Sequence, residues 1–187
     1  GEDWMINYID LFAGVGGIRL GVTQALTKQN ITSKCVLSSE IDEKACETYQ
    51  LNFGEHPEGD VKKIEEIEQF DFLLAGFPCQ PFSYAGKRQG FGDTRGTLFF
   101  DVARIVKCKR PKIVFMENVK NFATHDNGHT LEVVQSTMEE LGYTFFQKVL
   151  NAVDYGVPQK RERIYMVCFR NDLGVNDFTF PAPFKLT

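Results

Sequence analysis

Residues 5–22 read MINYIDLFAGVGGIRLGV. A β-rich run through Ile6, Tyr8, Ile9 and Leu11 passes Phe12 into a glycine cluster, Gly14, Gly16 and Gly17, and then into apolar residues at helical spacing. The order is strand, tight turn, helix, and the glycines let a ligand approach backbone N–H groups at the helix N-terminus. The same alternation recurs three times: KCVLSSE before DEKACETYQLNF, FDFLLAGF before RGTLFFDVARIVKC, and KIVFMEN before TLEVVQSTMEELG. These strands are nearly continuous in Val, Ile, Leu and Phe, as strands covered on both faces by crossover helices are. The expected fold is α/β, a doubly wound, mostly parallel, Rossmann-like sheet. After Gly142, YTFFQKVL and RIYMVCF follow one another without a helix, so a late antiparallel strand pair is expected. In such sheets ligands bind beyond the carboxyl ends of the strands.

A chain of 187 residues with 43% hydrophobic content can bury its apolar surface in one domain, residues 1–187. No apolar run is long enough for a membrane span, and the first residues lack a basic region followed by an apolar block, so a soluble, cytoplasmic protein is expected. Five cysteines, without a C-x-x-C pair, fit neither a disulfide framework nor a thiolate metal site. The net charge is −4, yet Lys87, Arg88, Arg95, Arg104, Lys160, Arg161 and Arg163 come from the middle and late chain. That distribution permits one basic face on an acidic body.

The residues after the strands carry the chemistry. Arg19 stands where the dinucleotide fingerprint G-x-G-x-x-G needs its third glycine, so a pyrophosphate is not supported. Glu40 closes the second strand, where an acidic side chain can accept hydrogen bonds from two ribose hydroxyls, and Asp60 in EGDV suits an adenine amino group. A nucleoside without pyrophosphate fits best, and S-adenosylmethionine is one. An ordinary strand-to-helix turn with surface acids is the plainer reading of the same residues. Cys79, in FPCQPFS, follows the third strand between Pro78 and Pro81, a stiff turn that makes a poor core. Glu117 and Asn118 end KIVFMEN, and Arg161 and Arg163 enter the last strand at alternate positions that can share one face.

DLFAGVGG, GFPCQPFS, MENVKNF and QKRERIYMVCFRNDL, in this order, resemble the successive signature motifs of the DNA (cytosine-5) methyltransferases, the bacterial restriction-modification type in particular. The likeness runs from Ile6 to Pro183. It implies Cys79 as nucleophile, Glu117 as the carboxyl group serving the base, and Arg163 with Arg161 as supporting cations. It implies an S-adenosylmethionine pocket of Phe12, Ala13, Gly14, Gly16, Gly17, Glu40, Ile41, Asp60, Val61, Pro78 and Leu98. Duplex DNA with its target cytosine flipped out is the implied substrate, held by Gln80, Ser83, Lys87 and Arg88. No metal is implied, and His125 and His129 in HDNGH read as part of a loop at the edge of the active site. In the family a target-recognition domain and a returning C-terminal motif follow the catalytic region. The chain ends at FPAPFKLT, so those parts are expected elsewhere, including on a second polypeptide. Two other readings stay open: a cofactor-binding subunit inactive alone, and a related enzyme acting on tRNA.

Overall fold

The computed structural model describes residues 5–78, 98–154 and 160–183. Four helices and six strands lie among them: β1 (Met5–Leu11), α1 (Gly17–Lys28), β2 (Thr32–Ser39), α2 (Glu43–Phe53), β3 (Phe72–Ala75), α3 (Leu98–Lys109), β4 (Ile113–Val119), α4 (His129–Glu140), β5 (Tyr143–Asn151) and β6 (Glu162–Arg170). The strands form one sheet in the order β2-β1-β3-β4-β6-β5. β1, β2, β3 and β4 pair in parallel, whereas β6 inserts antiparallel between β4 and β5. The doubly wound sheet with a late antiparallel pair is thus as the sequence implies. The chain runs from β1 outward to β2 and returns to β3 on the other side, so the strand order reverses between β1 and β3. Ligand crevices of doubly wound sheets open at such a reversal.

Periodicity explains which faces are buried. Along β4, Val114, Met116 and Asn118 are buried while Ile113, Phe115, Glu117 and Val119 are half-buried. The buried set faces Ile164, Met166 and Cys168 of β6, together with Phe99, Val102 and Val106 of α3 and Val134 and Met138 of α4, in one continuous core. Helix α2 is punctuated at both ends. Asp42 caps it by accepting from Lys44 N at 3.0 Å, and Gly54, at φ +74°, ends it. Helix α1 differs in having no buried residue. Among the described residues no helix is long and apolar enough to cross a membrane.

The two edges of the sheet are built differently. Where β5 begins and β6 ends, Arg110 donates to the Leu141 carbonyl, Arg170 donates to the Arg110 carbonyl, and Asn171 N donates to Gly142 O at 2.9 Å. Tyr143 donates its hydroxyl to the Pro111 carbonyl. The carboxyl ends of β1 to β4 lie at the opposite edge. Beyond β6 the chain folds back, and Phe178 packs on Phe146 at 5.6 Å and on Phe169 at 5.4 Å between ring centroids, with Phe180 beside it at 5.0 Å.

Candidate active site

A cavity of about 340 Å³ opens at the carboxyl ends of β1, β2 and β3. Phe12, Gly14, Glu40, Ile41, Asp60, Val61, Pro78 and Leu98 line it, all of them expected from the sequence, together with Ser39, Asp42 and Gly76. Ala13, Gly16 and Gly17 are not in its wall and instead shape the turn behind it. Gly16 N donates to Ala13 O at 2.9 Å, and Ala13 N donates to Ser39 O at 2.9 Å, so the turn is sewn to the end of β2. Three residues of the segment have positive φ: Phe12 at +53°, Gly14 at +57° and Gly16 at +94°. The first is costly for a bulky side chain, and such backbone concentrates where ligands are clamped.

Glu40 is the organising residue of this wall. Its Oε1 accepts from Gly14 N at 2.8 Å, and its Oε2 accepts from Ile41 N at 2.7 Å and from Asp42 N at 3.0 Å. One carboxylate therefore joins the glycine turn to the β2–α2 turn. Two carboxylate oxygens offer about four lone-pair sites, so three backbone donors leave room for a hydroxyl. Asp60 caps the short 3-10 turn Val61–Lys63, accepting from Lys62 N at 2.9 Å through Oδ1. Asp60 also lines the cavity wall. An apolar cleft of this size with a few convergent polar groups fits a nucleoside-sized ligand.

A second group of side chains stands beside the cavity at the end of β4. Glu117 Oε1 lies 3.2 Å from Arg163 Nε, with the two side chains 15% and 25% exposed. The parallel register sets Ala75 beside Met116, which brings Gly76 level with Glu117. A Cβ on Gly76 would come 3.1 Å from Glu117 Oε2 and 3.0 Å from Ile18 Cδ1. Gly76 thus belongs to both places, since it lines the cavity and leaves the space that the Glu117 carboxylate occupies. Opposite Glu117 in the antiparallel register is Tyr165. Burial pushes the Tyr165 phenol up, the Glu117 carboxylate adds to that, and Arg161 and Arg163 oppose it. Arg161 precedes β6 and is exposed. Its backbone N donates to Asn151 Oδ1 and its carbonyl accepts from Ala152 N, so the connected end of the β5–β6 hairpin fixes its backbone near the end of β4. Lys120, just after β4, and Glu162, the first residue of β6, form a further ion pair at 3.0 Å.

Asn118 points to the other face. It is 2% exposed, and its Oδ1 accepts from Val119 N at 2.8 Å, so it serves the strand end rather than a helix start. The HDNG residues make a tight turn before α4, with Asp126 at φ +54° and Asn127 at φ +55°, and His129 opens the helix; His125 Nδ1 lies 2.5 Å from the Thr130 hydroxyl. Cys79, Gln80, Ser83, Lys87 and Arg88 lie outside the described residues, as does Arg95. Sequence reasoning missed Ser39, Asp42, Gly76 and Tyr165. Ser39 and Asp42 flank Glu40 and were within reach of the same argument, whereas Gly76 and Tyr165 needed the strand register.

Comparison with known proteins agrees with this geometry. Residues 6–186 match the family model described as C-5 cytosine-specific DNA methylase. The chain is 61% identical over 183 residues to the type II methyltransferase M.HhaI of Haemophilus parahaemolyticus, covering 97% of this chain and 54% of that protein. It is 58% identical over 162 residues to the type II methyltransferase M.BanI of Aneurinibacillus aneurinilyticus, covering 87% of this chain and 38% of that one. The chain therefore spans about half or less of the length of these relatives. The solved structure of the Entamoeba histolytica methyltransferase EhMeth superposes with a TM-score of 0.70 at 20% identity, over 97% of this chain and 58% of that chain, a likeness of fold. With its signature motifs in order, a cleft at the strand reversal and a match along nearly its whole length, the chain belongs to the C-5 cytosine-specific DNA methylase family.

Proposed function

We propose that the chain is the catalytic and cofactor-binding part of an enzyme that transfers a methyl group from S-adenosylmethionine to carbon 5 of cytosine in duplex DNA. The observation that carries the reading is Gly76, a wall residue of the nucleoside-sized cavity that also makes room for the Glu117 carboxylate. Ligand cleft and acid–base group are thereby held next to each other, as direct transfer between two bound molecules requires.

The residues divide the work. Glu40 and Asp60 take the ribose and adenine edges of the cofactor, and Phe12, Ile41, Val61, Pro78 and Leu98 supply its apolar surroundings, with Ala13, Gly16 and Gly17 shaping the turn. S-adenosylmethionine supplies an electrophilic methyl group on a sulfonium. Carbon 5 of cytosine is a weak nucleophile within an aromatic ring. Addition of the Cys79 thiolate to carbon 6 breaks that aromaticity and gives carbon 5 enamine character, covalent catalysis that divides one hard step into two. Glu117 shares a proton with ring nitrogen 3, so the electron pair pushed into the ring does not leave an uncompensated anion. Arg163 holds Glu117 in place, and Arg163 and Arg161 stabilise negative charge on the carbonyl oxygen or a nearby phosphate. After carbon 5 has taken the methyl group, loss of its proton and departure of the cysteine sulfur restore the double bond. A stacked base cannot reach this edge, so the cytosine is flipped out, with Gln80, Ser83, Lys87 and Arg88 holding the strand. Choice of DNA sequence depends on base-edge contacts made by a target-recognition region beyond this chain, in the same protein or on a partner polypeptide.

The test is mechanism-based trapping. The chain is incubated with S-adenosylmethionine and duplex DNA carrying 5-fluorocytosine, whose fluorine cannot leave as a proton does. An adduct that survives denaturation and disappears in Cys79→Ala supports the reading. An adduct formed only with tRNA would move the substrate to RNA, and no adduct with or without an added recognition polypeptide would reduce the chain to a cofactor-binding subunit.

A further inference from the structure

Behind the glycine turn lies a chain of polar groups that the proposed chemistry leaves unused. Asp10, 1% exposed at the end of β1, accepts at Oδ2 a hydrogen bond from the Tyr49 hydroxyl of α2 at 3.0 Å. Arg19 of α1 donates to that same hydroxyl through Nη1 at 2.9 Å and to Glu55 through Nη2 at 2.7 Å. Its guanidinium also lies over the Phe53 ring, 4.4 Å from the centroid, and 5.5 Å from that of Tyr49. The Phe53 ring in turn fills the space at Gly16, where a Cβ would come within 2.0 Å of it.

These contacts brace a strained segment. Phe12, Gly14 and Gly16 all have positive φ, and Phe12 and Gly14 line the ligand cavity. Backbone of this kind persists only where its surroundings over-determine it. From the cavity side Glu40 holds the turn through Gly14 N. From the rear, the two helices hold it through Asp10 and Gly16. Arg19, whose presence excludes a pyrophosphate fingerprint, thus has a positive role.

We propose that Tyr49 and Arg19 are positioning residues for the cofactor: by joining the end of β1 to α1 and α2, they hold Phe12 and Gly14 in the conformation that receives the nucleoside. The proposal rests on the reading of the cavity as the S-adenosylmethionine site. The brace contains a titratable member. Burial pushes the Asp10 carboxyl up to about 7, opposed by the Tyr49 hydrogen bond and by Arg19, with Glu40 and Glu55 adding to the rise. Cys35 of β2 is the remaining titratable group coupled to this set. A charged Asp10 is the stronger acceptor for the Tyr49 hydroxyl, so the brace is tightest above that pH.

The experiment is calorimetric titration of the chain with S-adenosylhomocysteine between pH 6 and 8.5, for the parent, Tyr49→Phe, Arg19→Gln and Asp10→Asn. Tyr49→Phe keeps the ring on Phe53, at 4.7 Å between centroids, and removes only the hydroxyl. It is expected to weaken binding about tenfold, the worth of one hydrogen bond to a charged group. Arg19→Gln, at a side chain 11% exposed, is expected to act in the same direction if Tyr49→Phe fails to fold. Parent affinity is expected to fall below pH 7, and Asp10→Asn to lose that dependence. A parent that binds, alongside folded Tyr49→Phe and Arg19→Gln that bind equally tightly at every pH, overturns the brace and leaves the cofactor site standing. A parent that does not bind overturns both.

Discussion

Arg163 Nε stands 3.2 Å from Glu117 Oε1, joining the first residues of one strand to the last residues of its antiparallel neighbour. Neither group is free to be removed without consequence for the other, because both are largely out of water.

Arg163→Ala leaves the Glu117 carboxylate partly buried and unpaired. The expected loss of stability is roughly 1–3 kcal/mol, below that for a fully buried pair because both side chains keep some exposure. Urea unfolding measures it, and Arg163→Lys is expected to recover only part, since a point charge replaces a directional fork. Equal midpoints for parent and Arg163→Ala would show that the pair carries no net stabilisation.

Gly76→Ala places a methyl group 3.0–3.1 Å from Ile18 Cδ1 and Glu117 Oε2. The neighbours must shift, at a cost of about 1–3 kcal/mol. Because Gly76 borders both cavity and carboxylate, cofactor affinity and cysteine-adduct yield are expected to fall together. A variant that loses one and keeps the other would separate two functions that the geometry couples.

Asp10 gives a pH dependence whose sign is fixed. Its carboxyl is raised from 3.8 to about 7 in the folded chain, with burial the largest cause. A raised acid keeps its proton in the fold where the unfolded chain has already lost it. Its contribution is full below about 3.8 and is lost as pH rises through about 7, a difference on the order of a few kcal/mol. The stability of the parent relative to Asp10→Asn is therefore expected to decline from pH 5 to pH 8 in paired denaturant titrations. Parallel curves would contradict this.

Phe178→Ala removes the ring that bridges Phe146 and Phe169 from the returning segment. The residue is half-buried, so about 1–2 kcal/mol is expected rather than the full cost of a core aromatic. Cofactor binding is expected to stay unchanged, since the cluster lies away from the cavity wall. Thermal unfolding and calorimetric titration on the same sample test both halves.

Much of this site was legible in the sequence because Glu40 directly follows a strand, Glu117 lies near the end of one, and Asp60 stands in the short stretch after the second helix. Glu40, Asp60 and Glu117 could be picked out as acids at positions where a doubly wound sheet presents ligands, and Gly14 as part of a turn that needs no Cβ. What could not be read depends on which strands become neighbours. Gly76 closes the apolar run FDFLLAG without any sign of a role, and only the β3–β4 register sets it against Glu117. Arg19 read as a missing glycine, and only the packing of α1 on α2 shows it bound to Tyr49 and Glu55. Glu40 was expected to serve a ribose, but its hold on three backbone N–H groups of its own chain is a property of two turns meeting. Arg161 and Arg163 share a sequence pattern, yet only Arg163 reaches Glu117, since Arg161 lies just before the strand begins.

The reversed direction of β6 gives the molecule a polarity. A parallel strand in that place would deliver its last residues to the edge where Glu117 stands; β6 delivers its first, Glu162 and Arg163, while the turn at Gly142 lies at the far side. Wear is thereby separated from work. The contacts of Arg110 with Leu141, of Arg170 with Arg110 and of Asn171 with Gly142 fasten the fold at the edge remote from Glu117 and Arg163.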